Sequence, residues 1–160
     1  MEIKYIPTNL RKYTFENSKM KEWVENVCCG KTLNLFAGKT KLFIDEYRID
    51  INKTMLADEY VDAYDFIKSC NQEFDTILLD PPYAYRKAME MYKGYYTSKF
   101  KLIADEIQRL GVAVVVSFGY HSTFMGKVRG YKLKELCVFG HGGAQHCTIG
   151  IVEVSDKTFL

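Results

Sequence analysis

Apolar positions along the chain follow two alternating rhythms. Residues 1–16 show no clear period, and Met20, Trp23, Val24 and Val27 then recur at helical spacing behind a capping Asn17 or Ser18. That run stops near Gly30, where a left-handed helix end is easily made. Thr32-Leu33-Asn34-Leu35-Phe36 reads as a short buried strand, and Tyr47-Arg48-Ile49-Asp50-Ile51 reads as a second. Ala57 to Val61 fits a short third strand, after which Asp62 caps a helix with Asp65 in its first turn. Thr76-Ile77-Leu78-Leu79 is a fourth strand. Thr97 then caps a helix striped by Phe100, Ile103, Ala104, Ile107 and Leu110 and closed by Gly111. Val112-Ala113-Val114-Val115-Val116 is a fifth buried strand running into Ser117-Phe118-Gly119-Tyr120-His121, and residues 122–130 form a basic, glycine-punctuated loop. Tyr131 to Phe139 and Cys147 to Val154, joined across Gly140-His141-Gly142-Gly143, predict a hairpin.

Strands alternating with helices predict an α/β domain around a mostly parallel sheet. One element is short. Only Lys39 to Glu46 separate the first two strands, whereas a parallel crossover usually takes a dozen or more residues. The first helix is therefore cut to a turn or replaced by a loop.

The fourth strand ends in Asp80-Pro81-Pro82-Tyr83. Proline cannot donate to a sheet ladder and stiffens the residue before it, so the carbonyls beyond Asp80 point in fixed directions. Such rigidity suits work on the exocyclic amine of a nucleobase, a poor nucleophile whose lone pair is delocalised into the ring. A carboxylate (Asp80) and a backbone carbonyl (Pro81) accepting its two N–H bonds would localise that lone pair. An aromatic ring at Tyr83 would stack on a base taken out of its duplex. The plain alternative is a turn with two prolines, a charge and an exposed tyrosine.

Asp-Pro-Pro-Tyr after an apolar strand resembles the signature of S-adenosylmethionine-dependent amino methyltransferases acting on adenine N6, cytosine N4 or guanine N2. The resemblance extends from Thr32 to Val154, with the strand–glycine unit, the acid-ended strand, the acid-capped helix and the closing hairpin in order. It implies a Rossmann-like class I methyltransferase fold: a mostly parallel seven-stranded sheet, a C-terminal antiparallel hairpin and a shortened first helix. One domain then spans 1–160, with 1–30 an N-terminal helical segment and 31–160 the catalytic core.

Under this resemblance Asn34, Phe36, Ala37 and Gly38 border the cofactor, Gly38 letting the backbone approach its methionine part. Asn34 replaces the family's acid, and Thr40 stands where a second glycine is usual. Asp50 is placed for the ribose hydroxyls. Asp62 is placed for the adenine amine or is simply a helix cap. Tyr13-Thr14-Phe15 either touches the cofactor or staples the following helix. Asp80, Pro81, Pro82 and Tyr83 form the catalytic run. Tyr85 and Arg86, with Tyr92, Tyr95 and Tyr96 beyond, offer aromatics among cations for an unstacked strand, though Met89, Met91 and Tyr92 also fit one packed helix face. Tyr120 and His121 lie where open α/β sheets bind ligands. His141 either reaches that edge or sits exposed in its turn.

Composition adds limits rather than direction. With 48% hydrophobic and 26% charged residues, and no apolar run long enough for a bilayer, the chain reads as a globular domain. Met1-Glu2-Ile3-Lys4 has no signal-peptide pattern, so the cytoplasm is the expected location. Five cysteines without a C-x-x-C pair indicate neither a disulfide framework nor a metal site. The net charge of +2 hides a segregation. Seven acids between Asp45 and Asp65 face only Arg48 and Lys53, while five bases between Arg86 and Lys101 face only Glu90. Lys127, Arg129, Lys132 and Lys134 form a further basic group. One side would then repel phosphate and the other attract it, unless these are ordinary solvated faces.

The expected reaction is methyl transfer to N6 of adenine in DNA, with an RNA base amine as the alternative. No segment is large enough for a separate target-recognition domain, which points to a short site, a partner protein or a structured RNA. A nucleotide hydrolase competes through Gly38-Lys39-Thr40, but its phosphate loop needs a glycine where Leu33 stands. A non-catalytic nucleic-acid-binding module is the other competitor.

Overall fold

The computed structural model describes residues 1–81, 99–119 and 123–159. Its elements are β1 (Glu2–Pro7), α1 (Ser18–Val27), β2 (Thr32–Asn34), β3 (Glu46–Asp50), β4 (Glu59–Tyr60), α2 (Ala63–Ser69), β5 (Thr76–Leu79), α3 (Phe100–Leu110), β6 (Val114–Gly119), β7 (Tyr131–Gly140) and β8 (Thr148–Ser155). The strands form one sheet in the order β1-β7-β8-β6-β5-β2-β3-β4. All neighbours are parallel except that β8 runs against both β6 and β7.

The expected count of seven strands is corrected to eight among the described residues. The added one is β1, which extends the sheet beyond the hairpin by pairing in parallel with β7, Glu2 opposite Glu135 through Pro7 opposite Gly140. Its lack of apolar rhythm has a physical reason. As an edge strand it buries little, leaving Ile3 66% and Tyr5 67% exposed. It is held instead by the ladder and by Lys4, whose ammonium lies 3.0 Å from Glu135.

The two faces of the sheet carry separate cores, divided by the period-two alternation of the strands. Ile77, Leu79 and Val115 pack with Ile67 of α2 and with Ile103 and Ile107 of α3. Leu78, Val116 and Phe118 pack on the other face with Met20, Trp23 and Val24 of α1. Asn17 caps α1, its side chain accepting from the N–H groups of Lys19 and Met20. Arg109 closes the first core at its rim by donating to the carbonyls of Ile67 and Cys70 at the end of α2.

No helix links β2 to β3; residues 35–45 form an irregular crossover. It covers its face by pressing Leu42, which is 2% exposed, into the α1 core with Ile44 beside it. The expected third strand over residues 57–61 is confined to Glu59 and Tyr60. No helix among the described residues is long and apolar enough to cross a membrane.

Candidate active site

The strand order reverses between β2 and β5: the chain leaves β2 outward through β3 and β4, then returns to its other side. In open α/β sheets ligands bind outside the carboxyl ends of the strands at such a switch point. Two sequence-predicted segments meet there. The β2 strand runs into Phe36-Ala37-Gly38, and β5 runs into Asp80-Pro81. A small cleft at this junction is lined by Phe36, Ala37, Gly38, Lys39, Thr40 and Asp80, with Tyr13, Thr14 and Phe15 closing it from the N-terminal side.

Gly38 adopts a φ of +68°, a conformation that residues with a Cβ rarely hold, and a Cβ added there would face open space. Asp50 ends β3 on the same edge and is 8% exposed. One of its oxygens accepts from the Gly38 N–H at 2.9 Å and the other from the Asn52 N–H at 2.8 Å. Burial pushes its pKa above the ordinary carboxylate value, while these two hydrogen bonds and nearby Arg48 pull the other way. Asp62 caps α2, one oxygen accepting from the N–H groups of Tyr64 and Asp65. Its capping role is observed, and a cofactor role would have to use what remains of the carboxylate.

Asn34 has a different setting from the one the resemblance implies. Its side chain is fully buried and donates to Glu46 at 3.2 Å. Glu46 in turn accepts from the Leu42 N–H at 3.0 Å and pairs with Arg48 at 2.6 Å. A carboxylate on the neighbouring strand β3 is thus in contact with Asn34.

Sequence reasoning passed over Glu46 and Arg48. Arg48 is 3% exposed and points away from Ile49 and its core, toward the crossover. Its guanidinium donates to the carbonyls of Ala37 (2.9 Å), Gly38 (3.1 Å), Thr40 (2.9 Å) and Leu56 (2.7 Å). The one available signal was a charged residue inside the apolar run of a buried strand.

Pro82, Tyr83, Tyr85 and Arg86 lie outside the described residues, as do Met89, Met91, Tyr92, Tyr95, Tyr96 and Thr97, and Tyr120 and His121. His141 follows β7 on the same sheet edge as Asp80, but β8 and β6 stand between β7 and β5. Three strand spacings put it roughly 14 Å from the switch point. Its Nε2 lies 2.8 Å from the Thr148 hydroxyl, its Nδ1 is buried without a partner among the described residues, and burial lowers its pKa.

Cations gather at the cleft mouth. The ammonium groups of Lys39 and Lys12 lie 4.9 and 5.4 Å from the centre of the Tyr13 ring. Lys127, Arg129, Lys132 and Lys134 precede or begin β7 and so occupy the opposite edge of the sheet. Lys12 and Lys39 thus lie at a different edge from the 127–134 group, while Arg86, Lys87 and Lys93 of the other expected basic group lie outside the described residues. Gly38-Lys39-Thr40 opens no helix, which removes the helix N-terminus that a phosphate loop requires. Among the described residues no cluster of three or more His, Cys, Asp or Glu could hold a metal ion.

No protein-family model matches the sequence, and neither does any curated protein. Solved structures share the fold. The yhhF protein of Escherichia coli, a proposed methyltransferase, aligns with a TM-score of 0.57 at 11% identity over 86% of this chain and 84% of its own. A proposed methylase of Haemophilus influenzae aligns at 0.53 and 13% identity over 86% of each chain. The tRNA (uracil-54, C5)-methyltransferase of Pyrococcus abyssi, solved with S-adenosyl-L-homocysteine, aligns at 0.56 and 14% identity, over 91% of this chain and 40% of its own. The chain shares the fold of these three proteins.

Proposed function

We propose that this protein is an S-adenosylmethionine-dependent methyltransferase that methylates an exocyclic amine of a nucleobase, with N6 of adenine in DNA as its acceptor. The observation that carries the reading is the meeting, in one cleft at the switch point, of the Gly38 turn with Asp80, whose successor in the chain is the rigid Pro81.

The residues present fit the cofactor. Ala37 and Gly38 offer a backbone that a ligand can approach closely, and Asp50 sits at the end of the next strand where ribose hydroxyls would fall. Phe36 and Asn34 belong to the same strand end, and Asp62 lies at the start of α2 for the adenine. The cofactor, when bound, supplies a methyl group on a sulfonium. The chain's part is to hold the acceptor in line. Asp80 and the Pro81 carbonyl each accept one N–H of the amine, which draws its lone pair out of the ring toward the methyl carbon. Asp80 would hold the proton that the amine must lose on methylation and pass it on to solvent. In this reading Pro82 stiffens the turn, Tyr83 stacks on the base, and Tyr85, Arg86, Tyr120, His121 and His141 serve the substrate.

The second reading keeps the chemistry and changes the acceptor to an RNA base amine. Its support is the fold shared with a tRNA methyltransferase. One experiment separates the two: transfer of labelled methyl from S-adenosylmethionine to matched DNA and RNA pools, with Asp80→Ala as control. Label on DNA, reduced roughly 100-fold in the variant, supports the first reading. Label on RNA alone supports the second. Cofactor affinity in Asp80→Ala should stay within about threefold of the parent, because Asp80 is assigned to the acceptor. Parallel loss of affinity and turnover would move it to the cofactor.

A further inference from the structure

A crossover between parallel strands is ordinarily a helix, whose first turn fixes the glycine loop before it. This chain joins β2 to β3 without one, yet its glycine turn lies against the cleft in a defined conformation. Something else must hold the carbonyls of that turn.

We infer that Arg48 is the positioning residue of the cofactor loop, its guanidinium standing in for the missing helix. The inference rests on the cofactor reading above. All five N–H bonds of the side chain are used: Nε on the Leu56 carbonyl, Nη1 on Thr40 and Glu46, Nη2 on Ala37 and Gly38. Four carbonyls from two loops therefore converge on one planar group. Peptide units are planar and trans, so a carbonyl directed inward turns the N–H across the same unit outward. With the Gly38 and Thr40 carbonyls on Arg48, the N–H groups of Lys39 and Lys41 turn away from the guanidinium. The Gly38 N–H is itself held by Asp50, and the Leu56 N–H donates to the Gly38 carbonyl at 3.1 Å. Glycine turn, candidate ribose acid and the loop after β3 are thereby keyed to one side chain.

Arginine suits this task and lysine does not. A lysine ammonium has three donors on a point charge, whereas the guanidinium carries five in a fixed fork. Burying that charge is costly unless it is paired, and Glu46, with 1% of its side chain exposed, supplies the partner. The same Glu46 holds the Leu42 N–H, which ties the far end of the crossover to the pair.

The test uses Arg48→Lys, which keeps the charge but not the fork. Three quantities are read: thermal midpoint, amide hydrogen exchange in the protein without ligand, and the dissociation constant of S-adenosylhomocysteine by calorimetry. The expected result is unchanged exchange at the core amides of Ile77 and Val116 with at least about tenfold faster exchange at Leu56 and Gly38. Ligand affinity should fall by at least about tenfold. A variant with an intact core that binds the ligand within about twofold of the parent overturns the inference. Should Arg48→Lys lose core protection, Glu46→Gln replaces it: that variant keeps an acceptor for Leu42 and Arg48, removes the paired charge and exchanges the acceptor facing Asn34 for an amide N–H. It should bind the ligand about threefold more weakly with faster Leu56 exchange, and parental values for both overturn the inference. If the parent protein fails to bind S-adenosylhomocysteine, the cofactor reading falls, and the Leu56 exchange rate alone decides whether Arg48 holds the loop.

Discussion

Asp50 is held by two backbone hydrogen bonds at the strand end proposed for the ribose. Each oxygen accepts a backbone N–H, from Gly38 and from Asn52, and burial raises the pKa despite those bonds. The sign of its linkage follows. A carboxyl whose folded pKa lies above its unfolded value binds its proton more readily in the folded state. Its charged form therefore weighs against folding at neutral pH, and that cost is relieved as pH falls through the folded pKa. Ligand binding should respond in the opposite sense, since ribose hydroxyls need the ionised acceptor. Affinity for S-adenosylhomocysteine should begin to fall at a higher pH than an ordinary aspartate would dictate, on the way down to about pH 4. Asp50→Asn should bind weakly at every pH and flatten this profile, because its amide would oppose one backbone N–H. The misfit should also cost about 1–3 kcal/mol of stability, measured by denaturant unfolding. A parent profile flat to pH 4 would remove Asp50 from the ribose. Single residues were only partly legible in the sequence. Asp50, Gly38 and Asp80 stand at strand ends, which a motif can mark. Glu46 lies twelve positions from Asn34 and reaches it only through the pairing of β2 with β3, Thr32 opposite Glu46 and Asn34 opposite Arg48. Register between separate strands is a tertiary fact, and no local spacing records it.

Among the elements, α1 and β8 are fitted to each other at one glycine. Gly150 faces the Trp23 ring, and a Cβ added there would come within 2.6 Å of it. Trp23 has little room to retreat. Its ring meets Phe118 and Phe139 edge-on at 5.5 and 5.6 Å, and its Nε1 donates to Glu135 at 2.7 Å. Gly150→Ala should therefore cost about 1–3 kcal/mol by overpacking. Trp23→Phe removes the ring edge that would clash, so the double variant should be less unstable than the two losses summed. A coupling of at least about 1 kcal/mol in a denaturant-unfolding cycle is the expected outcome. Strict additivity would show that α1 shifts freely and that the fit is loose. The elements that were legible are those with a buried stripe: α1, α3, β5 and β6 each declare a face through apolar spacing. The β1 strand does not, because its pairing is made by backbone and by Lys4 rather than by burial. The missing crossover helix was legible as a shortage of residues. What replaces it was not, since the substitute is a side chain of the following strand.

At the scale of the whole molecule, two of the described basic groups lie at opposite edges of the sheet, and the proposed reaction would use only one of them. Lys12 and Lys39 flank Tyr13 at the cleft mouth, on the carboxyl edge with Asp80. Lys127 and Lys134 belong to the other edge, since Lys127 lies in the turn before β7 and Lys134 in its first half. A strand rises about 3.3 Å per residue, so the length of β7 puts roughly 20 Å or more between those lysines and the edge where transfer would occur. That exceeds a Debye length at physiological ionic strength, about 8 Å, and the two groups act independently on a bound strand. Removing Lys12 and Lys39 together should weaken binding of a single-stranded oligonucleotide by about tenfold. It should also flatten the dependence of log affinity on log salt by about one to two units, the amount expected for two lost phosphate contacts. Removing Lys127 and Lys134 should leave affinity within about twofold and the slope unchanged. Filter binding across a salt series measures both quantities in one experiment. The reverse ranking would place the substrate on the far edge, out of reach of Asp80. Methyl transfer to a nucleobase would then fail on geometry, whatever the cofactor does.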